Sequence, residues 1–175
     1  MKSTSTRYGT VAVTIHWISA LLILALLGSG FRAAGLADSA AKASVLTVHV
    51  PLGIAILVLT LARLVWWGFG DTKPKPVTGD PAWQTASAKA VHVLFYVVIL
   101  GMAASGIGMV VLSGAGQSLF AGASASLPDF HDYAPRLPHG LGARFMVALL
   151  FLHIGAALYH HFIKKDGLIG RMWFD

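Results

Sequence analysis

An all-α integral membrane protein, a bundle of four transmembrane helices, is the fold class this sequence predicts, and three observations predict it. Hydrophobic residues make up 56% of the 175 residues and charged residues only 11%, with a mean hydropathy of +0.71, too little charge to cover a water-facing surface. Four segments lack Asp, Glu, Lys and Arg over spans near the ~20 residues that a bilayer core requires. Basic and aromatic residues gather at the ends of those segments, as they do at membrane edges. The chain reads as one domain, residues 1–175, with helices at approximately 9–31, 43–66, 88–112 and 139–163.

The first span runs from Gly9 to Phe31. A cleaved signal peptide is the competing reading, since the start is basic and small residues follow Phe31. The apolar stretch is too long for a typical signal core and contains His16, so a retained helix is expected. The second span runs from Ala43 to Ala62 and stops at Arg63 and Trp66-Trp67. Residues 68–82, with Pro74, Pro76 and Pro81, read as a stiff loop. The third span follows Lys89 and reaches Leu112. Residues 113–138 carry glycines and prolines together with Phe120, Phe130 and Tyr133, and are expected to cap the bundle. The fourth span runs from Phe145 to Ile163, its helix beginning near His139, and stops at Lys164-Lys165.

An even number of spans puts both termini on one side. That side carries Lys2, Arg7, Arg63, Lys73, Lys75, Lys89, Lys164, Lys165 and Arg171; the other carries Arg32, Lys42, Arg136 and Arg144. Positive charge accumulates in the cytoplasm, so both termini are expected there. The net charge of +6 is explained by this topology, and no nucleic-acid partner is expected. With no cysteine in the chain, disulfides, covalently attached c-type haem and thiolate-held iron–sulfur clusters are excluded.

Eight histidines remain, at 16, 49, 92, 131, 139, 153, 160 and 161, and only His131 clearly belongs to a loop. Ionisable groups inside spans are costly and commonly functional. His139 and His153 are fourteen residues apart. On one helix that spacing is about 40° short of four turns and ~21 Å along the axis. Both therefore point to nearly the same face, one near each leaflet, as ligands of two stacked flat cofactors must. Matching depth pairs His16 with His153 and His49 with His139, each pair a bis-imidazole site for a b-type haem iron. Such a site is six-coordinate and suited to electron transfer rather than oxygen binding. His92 opens the third helix at the depth of His16 and is the alternative partner there. His160, seven residues after His153, shares its face within about 20° and is placed to hydrogen-bond a quinone carbonyl and pass protons. Arg63, Lys89 and Arg144, with Arg136, are candidates to pair with haem propionates, each with plain topology determination as the ordinary explanation.

The stretches RYGTVAVTIHWISALL, TVHVPLGIAILVLTLARLVWW, KAVHVLFYVVILGMAASGIGMV and HGLGARFMVALLFLHIGAALYHHFIKKDGLIGRM resemble the bacterial cytochrome b561 family over nearly the whole chain. The closing histidine pattern is the most specific part. The resemblance implies a four-helix inner-membrane protein with two non-covalent b haems, ligated at positions corresponding to His16, His49, His139 and His153. It implies ubiquinone reacting near His160 and, for at least one kind of member, superoxide as electron donor on the periplasmic side. Arg32, Lys42, Arg136 and Arg144 would draw that anion to the outer mouth. Two alternatives stand beside this reading. The chain could relay electrons from a dehydrogenase or hydrogenase partner protein. It could instead be a non-haem metal-binding or transport protein, although no Asp or Glu lies in any span.

Overall fold

Ordering an apolar chain in lipid requires every backbone group to find its partner internally, and helices do this within one segment. The computed structural model describes residues 1–76, 79, 81–121 and 126–174, and among them there are helices and turns but no strand. The long helices are α1 (Thr10–Gly35), α2 (Ser39–Val65), α3 (Ala82–Ser113) and α5 (Arg136–Tyr159), with a short α4 (Ala115–Phe120) after α3. All four long elements are long and apolar enough to cross a membrane. Their outward faces carry Leu21, Val58, Val97, Phe151 and Leu152, each more than half exposed. Such a belt is a liability in water and a match for lipid.

Each helix extends past the edge that charge alone suggests. α1 continues to Gly35 beyond Arg32, and α2 starts at Ser39, ahead of Lys42. Asp38 caps α2, its side chain accepting the Ala41 N–H at 2.7 Å, which satisfies a donor that the helix start leaves free. α3 starts at Ala82, straight after Pro81, six residues before the expected start at 88. α5 starts at Arg136 rather than 139. Charge marks where lipid ends, and the helices project beyond it. α2 and α5 both end in a single π-helical turn, Trp66–Gly70 and His160–Lys164. Residues 77, 78 and 80 of the proline-containing loop, and 122–125 of the long outer connection, lie outside the described residues.

α1 packs chiefly on α2 and α3 chiefly on α5, with α2 joining the two pairs to α3. α4 lies against α2 and α3, with Ala115 and Leu119 buried, so the start of the outer connection does cap the bundle. The deepest packing is a single layer of Ile23, Ile56, Val98, Met146 and Leu149, drawn from all four long helices. In each helix this layer falls at mid-span. In α1, α2, α3 and α5 the residues at 16, 63, 92 and 153 lie on one side of it and those at 29, 49, 105 and 139 on the other.

The two termini meet at one end. The Tyr8 N–H donates to the Arg171 carbonyl at 3.1 Å. Arg171 reaches the Thr6 and Lys75 carbonyls, and the Trp17 indole donates to the Met172 carbonyl. Ser3 holds Asp71 through its N–H and hydroxyl. We call this the terminal end, and the α4 end the outer end.

Candidate functional site: two histidine pairs and a terminal dyad

The up-and-down bundle brings the paired histidines together, His16 and His153 on antiparallel helices and His49 and His139 on parallel ones. The His16 and His153 rings are centred 6.2 Å apart, and the His49 and His139 rings 6.3 Å apart. Metal–imidazole bonds are about 2.0 Å and a ring centre lies about 1.1 Å beyond the bonded nitrogen, so two rings in line across one iron are centred about 6.2 Å apart. Both pairs match that separation. Their interplanar angles differ, 57° and 69°. His92 lies 5.7 Å from His153, shorter than a linear arrangement allows, and it is exposed where the other four are half-buried. Among the described residues no three His, Cys, Asp or Glu side chains converge as a metal site. Two imidazoles supply only two donors, so each pair suits a metal whose remaining donors come from a macrocycle.

At the outer end both rings are held by hydrogen bonds that fix their tautomer. The Ser29 hydroxyl donates to the Ala25 carbonyl at 2.7 Å. Its oxygen lies 2.9 Å from His49 Nδ1, so it accepts the Nδ1–H. His139 Nδ1 lies 3.0 Å from the Met102 carbonyl, which can only accept. Ser105 Oγ lies 3.1 Å from the same nitrogen. In both rings Nε2 is thereby left as the lone-pair nitrogen, the state a metal ligand needs. Glycine follows each serine. A Cβ at Gly30 would lie 3.1 Å from His49 Cε1, and one at Gly106 would lie 3.2 Å from His139 Cε1. The sequence reading did not single out Ser29 or Ser105. Its available signal was a Ser-Gly step inside two spans, each facing a histidine of the neighbouring helix.

Around the His16–His153 pair the environment differs. Phe95 packs edge-on to His153 at 5.5 Å. The Arg63 charge reaches His16, His92 and His153, and its Nε is buried without a hydrogen-bond partner among the described residues. An orphaned buried guanidinium nitrogen at this depth fits a carboxylate-bearing group beside the ring pair. Lys89 is exposed on α3. Arg144 is at the outer end, where its Nη1 donates to the Gly140 carbonyl at 3.4 Å. A Cβ at Gly140 would come 2.9 Å from Arg136 Nη1 and 3.8 Å from Arg144 Nη1, so two guanidinium groups flank the turn that follows His139.

His160 is 6% exposed. The π-turn ends at Lys165, whose left-handed backbone (φ 55°) turns the chain so that Asp166 returns to His160. His160 Nδ1 meets Asp166 Oδ2 at 2.5 Å, and Nε2 lies 3.5 Å from Gln84 Nε2. The Lys164 ammonium donates to Gln84 Oε1 at 3.2 Å. Burial raises the Asp166 pKa, but the hydrogen bonds from His160 and the Leu168 N–H, with the charges of His160 and Lys164, bring it below the ordinary carboxylate value. Neither Gln84 nor Asp166 stood out in the sequence, because Gln84 meets His160 only across the α3–α5 packing and Asp166 only through the turn at Lys165.

Fold and site together define a multi-pass membrane protein with histidine pairs stacked at two levels. The chain matches the prokaryotic cytochrome b561 family over residues 7–175 and belongs to it. This is a family of membrane b-type cytochromes that transfer electrons, with b-type haem as cofactor. Cytochrome b561 homolog 1 of Escherichia coli is 30% identical over 173 residues, covering 95% of this chain and 96% of the relative. The probable superoxide oxidase CybB of Yersinia pestis is 28% identical over 170 residues, 95% of each chain. Cytochrome b562 of Cereibacter sphaeroides is 29% identical over 170 residues, 94% of each.

Proposed function

We propose that this protein is a di-haem superoxide:ubiquinone oxidoreductase of the bacterial inner membrane, with both termini in the cytoplasm. The observation that carries the di-haem reading is the pair of ring separations, 6.2 and 6.3 Å, at two levels divided by the mid-span core layer. His16 and His153 hold the haem near the cytoplasm, and His49 and His139 hold the one near the periplasm. Haem so ligated supplies one-electron transfer with no open coordination position. Arg136 and Arg144, flanking Gly140, form a cationic mouth beside His139 that concentrates a small anion. Arg63 offers its buried Nε to a propionate of the inner haem, with Lys89 and Arg144 as further propionate partners. At the cytoplasmic end His160, oriented by Asp166 and bounded by Gln84, takes up a second proton at Nε2 and in that state is the proton donor to a quinone oxygen. Each superoxide gives up one electron and leaves as O2; two such electrons and two protons convert ubiquinone to ubiquinol. The name of the Yersinia pestis relative supports superoxide as donor.

The test is stopped-flow mixing of the oxidised, purified protein with superoxide, followed by ubiquinone. Rapid appearance of the reduced b-haem spectrum, then its decay on adding quinone, is expected. A haem spectrum unchanged by superoxide overturns the donor assignment.

A further inference from the structure

The two histidine pairs are equivalent in ring separation and unequal in what touches their second nitrogens. Both outer ligands donate Nδ1–H to an acceptor: His49 to Ser29 Oγ at 2.9 Å, and His139 to the Met102 carbonyl at 3.0 Å with Ser105 Oγ at 3.1 Å. Among the described residues, His16 and His153 have ring contacts with Trp17, Phe95, His92 and each other but no hydrogen bond at either ring nitrogen. An imidazole that donates Nδ1–H gains imidazolate character and becomes a stronger electron donor to its metal, which favours the more oxidised ion. Nearby cations oppose this, but they stand at both levels: Arg136 acts on His139, and Arg63 acts on His16 and His153. Among the described residues, Nδ1 acceptors of the paired rings stand at the outer level alone.

We infer that Ser29 and the Met102 carbonyl, assisted by Ser105, make the outer haem the low-potential centre, so that electrons run downhill from the outer end to the terminal end. This rests on the di-haem reading above and adds an order of potentials and a direction to it. Ser29 and Ser105 are positioning residues that act through the two imidazoles. Their hydroxyls are not free to rotate away. Ser29 Oγ is tied to the Ala25 carbonyl and Ser105 Oγ to the Met102 carbonyl, at 2.7 and 3.0 Å. Each helix therefore holds its acceptor fixed against a histidine of its neighbour.

The experiment is an optical and EPR redox titration of the full-length holoprotein, with haem per chain measured by pyridine haemochrome. The wave lost in His49→Ala identifies the outer haem. It is expected to be the lower of the two, and the opposite order overturns the inference. Ser29→Ala should shift that wave upward and change the EPR signal of the same haem, leaving the other wave in place. Ser29→Thr, which keeps the hydroxyl, should restore it. If Ser29→Ala fails to keep its haem, Ser105→Ala, in which the Met102 carbonyl still accepts, should move the same wave upward by a smaller amount. A protein with two haems per chain whose outer wave ignores both serines overturns the inference and leaves the di-haem reading intact. A protein with fewer than two haems overturns that reading instead.

Discussion

The outer and terminal histidine levels use the same pair of residues for opposite surroundings. At the outer level each imidazole is pinned by a serine or carbonyl at Nδ1 and by a glycine against its edge. No Asp or Glu belongs to the span on that side of the core layer. At the terminal level the rings lie beside a third histidine and the buried Arg63, and beyond them lies the Gln84–His160–Asp166 chain. Electron transfer needs rigid ligands and little reorganisation, which the outer level provides. Coupling electrons to protons needs titratable groups in contact, and the buried His160–Asp166 pair supplies them at the terminal level.

The largest effect should come from the ligands themselves. Replacing His49 or His139 by alanine is expected to remove the same haem, and replacing His16 or His153 to remove the other, halving haem per chain by pyridine haemochrome. His92→Ala is the control that can break the comparison. It should retain both haems, because the 5.7 Å spacing to His153 is too short for two rings in line on one iron. Loss of a haem there, with His16→Ala silent, reverses the terminal pairing.

Next in size is the dyad. Asp166→Asn keeps the side chain's shape but removes the charge that holds the His160 Nδ1–H, and D166N is expected to slow haem reoxidation by quinone about 10- to 100-fold. Reduction of the haems from the outer side should be unaffected. If both half-reactions slow equally, the two levels do not divide the work as described.

The four spans were legible because lipid imposes one rule, an apolar run closed by charge, and the proximity of the two histidine ring pairs was anticipated from the periodicity across His139 and His153 together with matching depth. Helix ends were less legible. Arg32, Lys42 and Lys89 mark the lipid boundary, but α1, α2 and α3 run past them, and the α2 start is set by the Asp38 side chain reaching Ala41. The Ser29–His49 and Ser105–His139 contacts join different helices, so they require the packing of α1 on α2 and of α3 on α5. Each pair does leave a trace, a Ser-Gly step where an apolar helix would ordinarily carry larger residues. The Asp166–His160 bond leaves none, since its sequence neighbours, Lys164-Lys165, read as a basic stop.

A smaller effect should come from the outer glycines. A methyl group at Gly106 would sit 3.2 Å from His139 Cε1, and overpacking of this kind costs about 1–3 kcal/mol, offset by roughly 1 kcal/mol of helix propensity. Gly106→Ala is therefore expected to lower occupancy of the outer haem partially, with the other haem fully retained. Haem content and the two redox waves distinguish this from a general loss of folding. Equal loss of both haems would show that the glycine serves the whole bundle and not the outer ring.

The mildest prediction concerns the clasp at the terminal end, where Ser3 donates to Asp71 from its N–H and hydroxyl at 3.0 and 2.7 Å. Burial raises the Asp71 pKa, but these bonds, with that from the Thr72 N–H, together bring it below the ordinary value. A carboxylate with a depressed pKa stabilises the folded state above its ordinary pKa of about 4, and that stability is lost as pH falls toward the folded value. Ser3→Ala removes two hydrogen bonds, the one donated to Asp71 and the one accepted from the Gly9 N–H, each worth about 1 kcal/mol, and should lower the midpoint of thermal haem loss at neutral pH. Because the clasp lies at the terminal end, acid below about pH 4 is expected to loosen the terminal haem before the outer one. In S3A that difference between wild type and variant should shrink as the pH falls and Asp71 protonates. Acid release of the outer haem first would place the weaker of the two sites at the opposite end from the one the clasp protects.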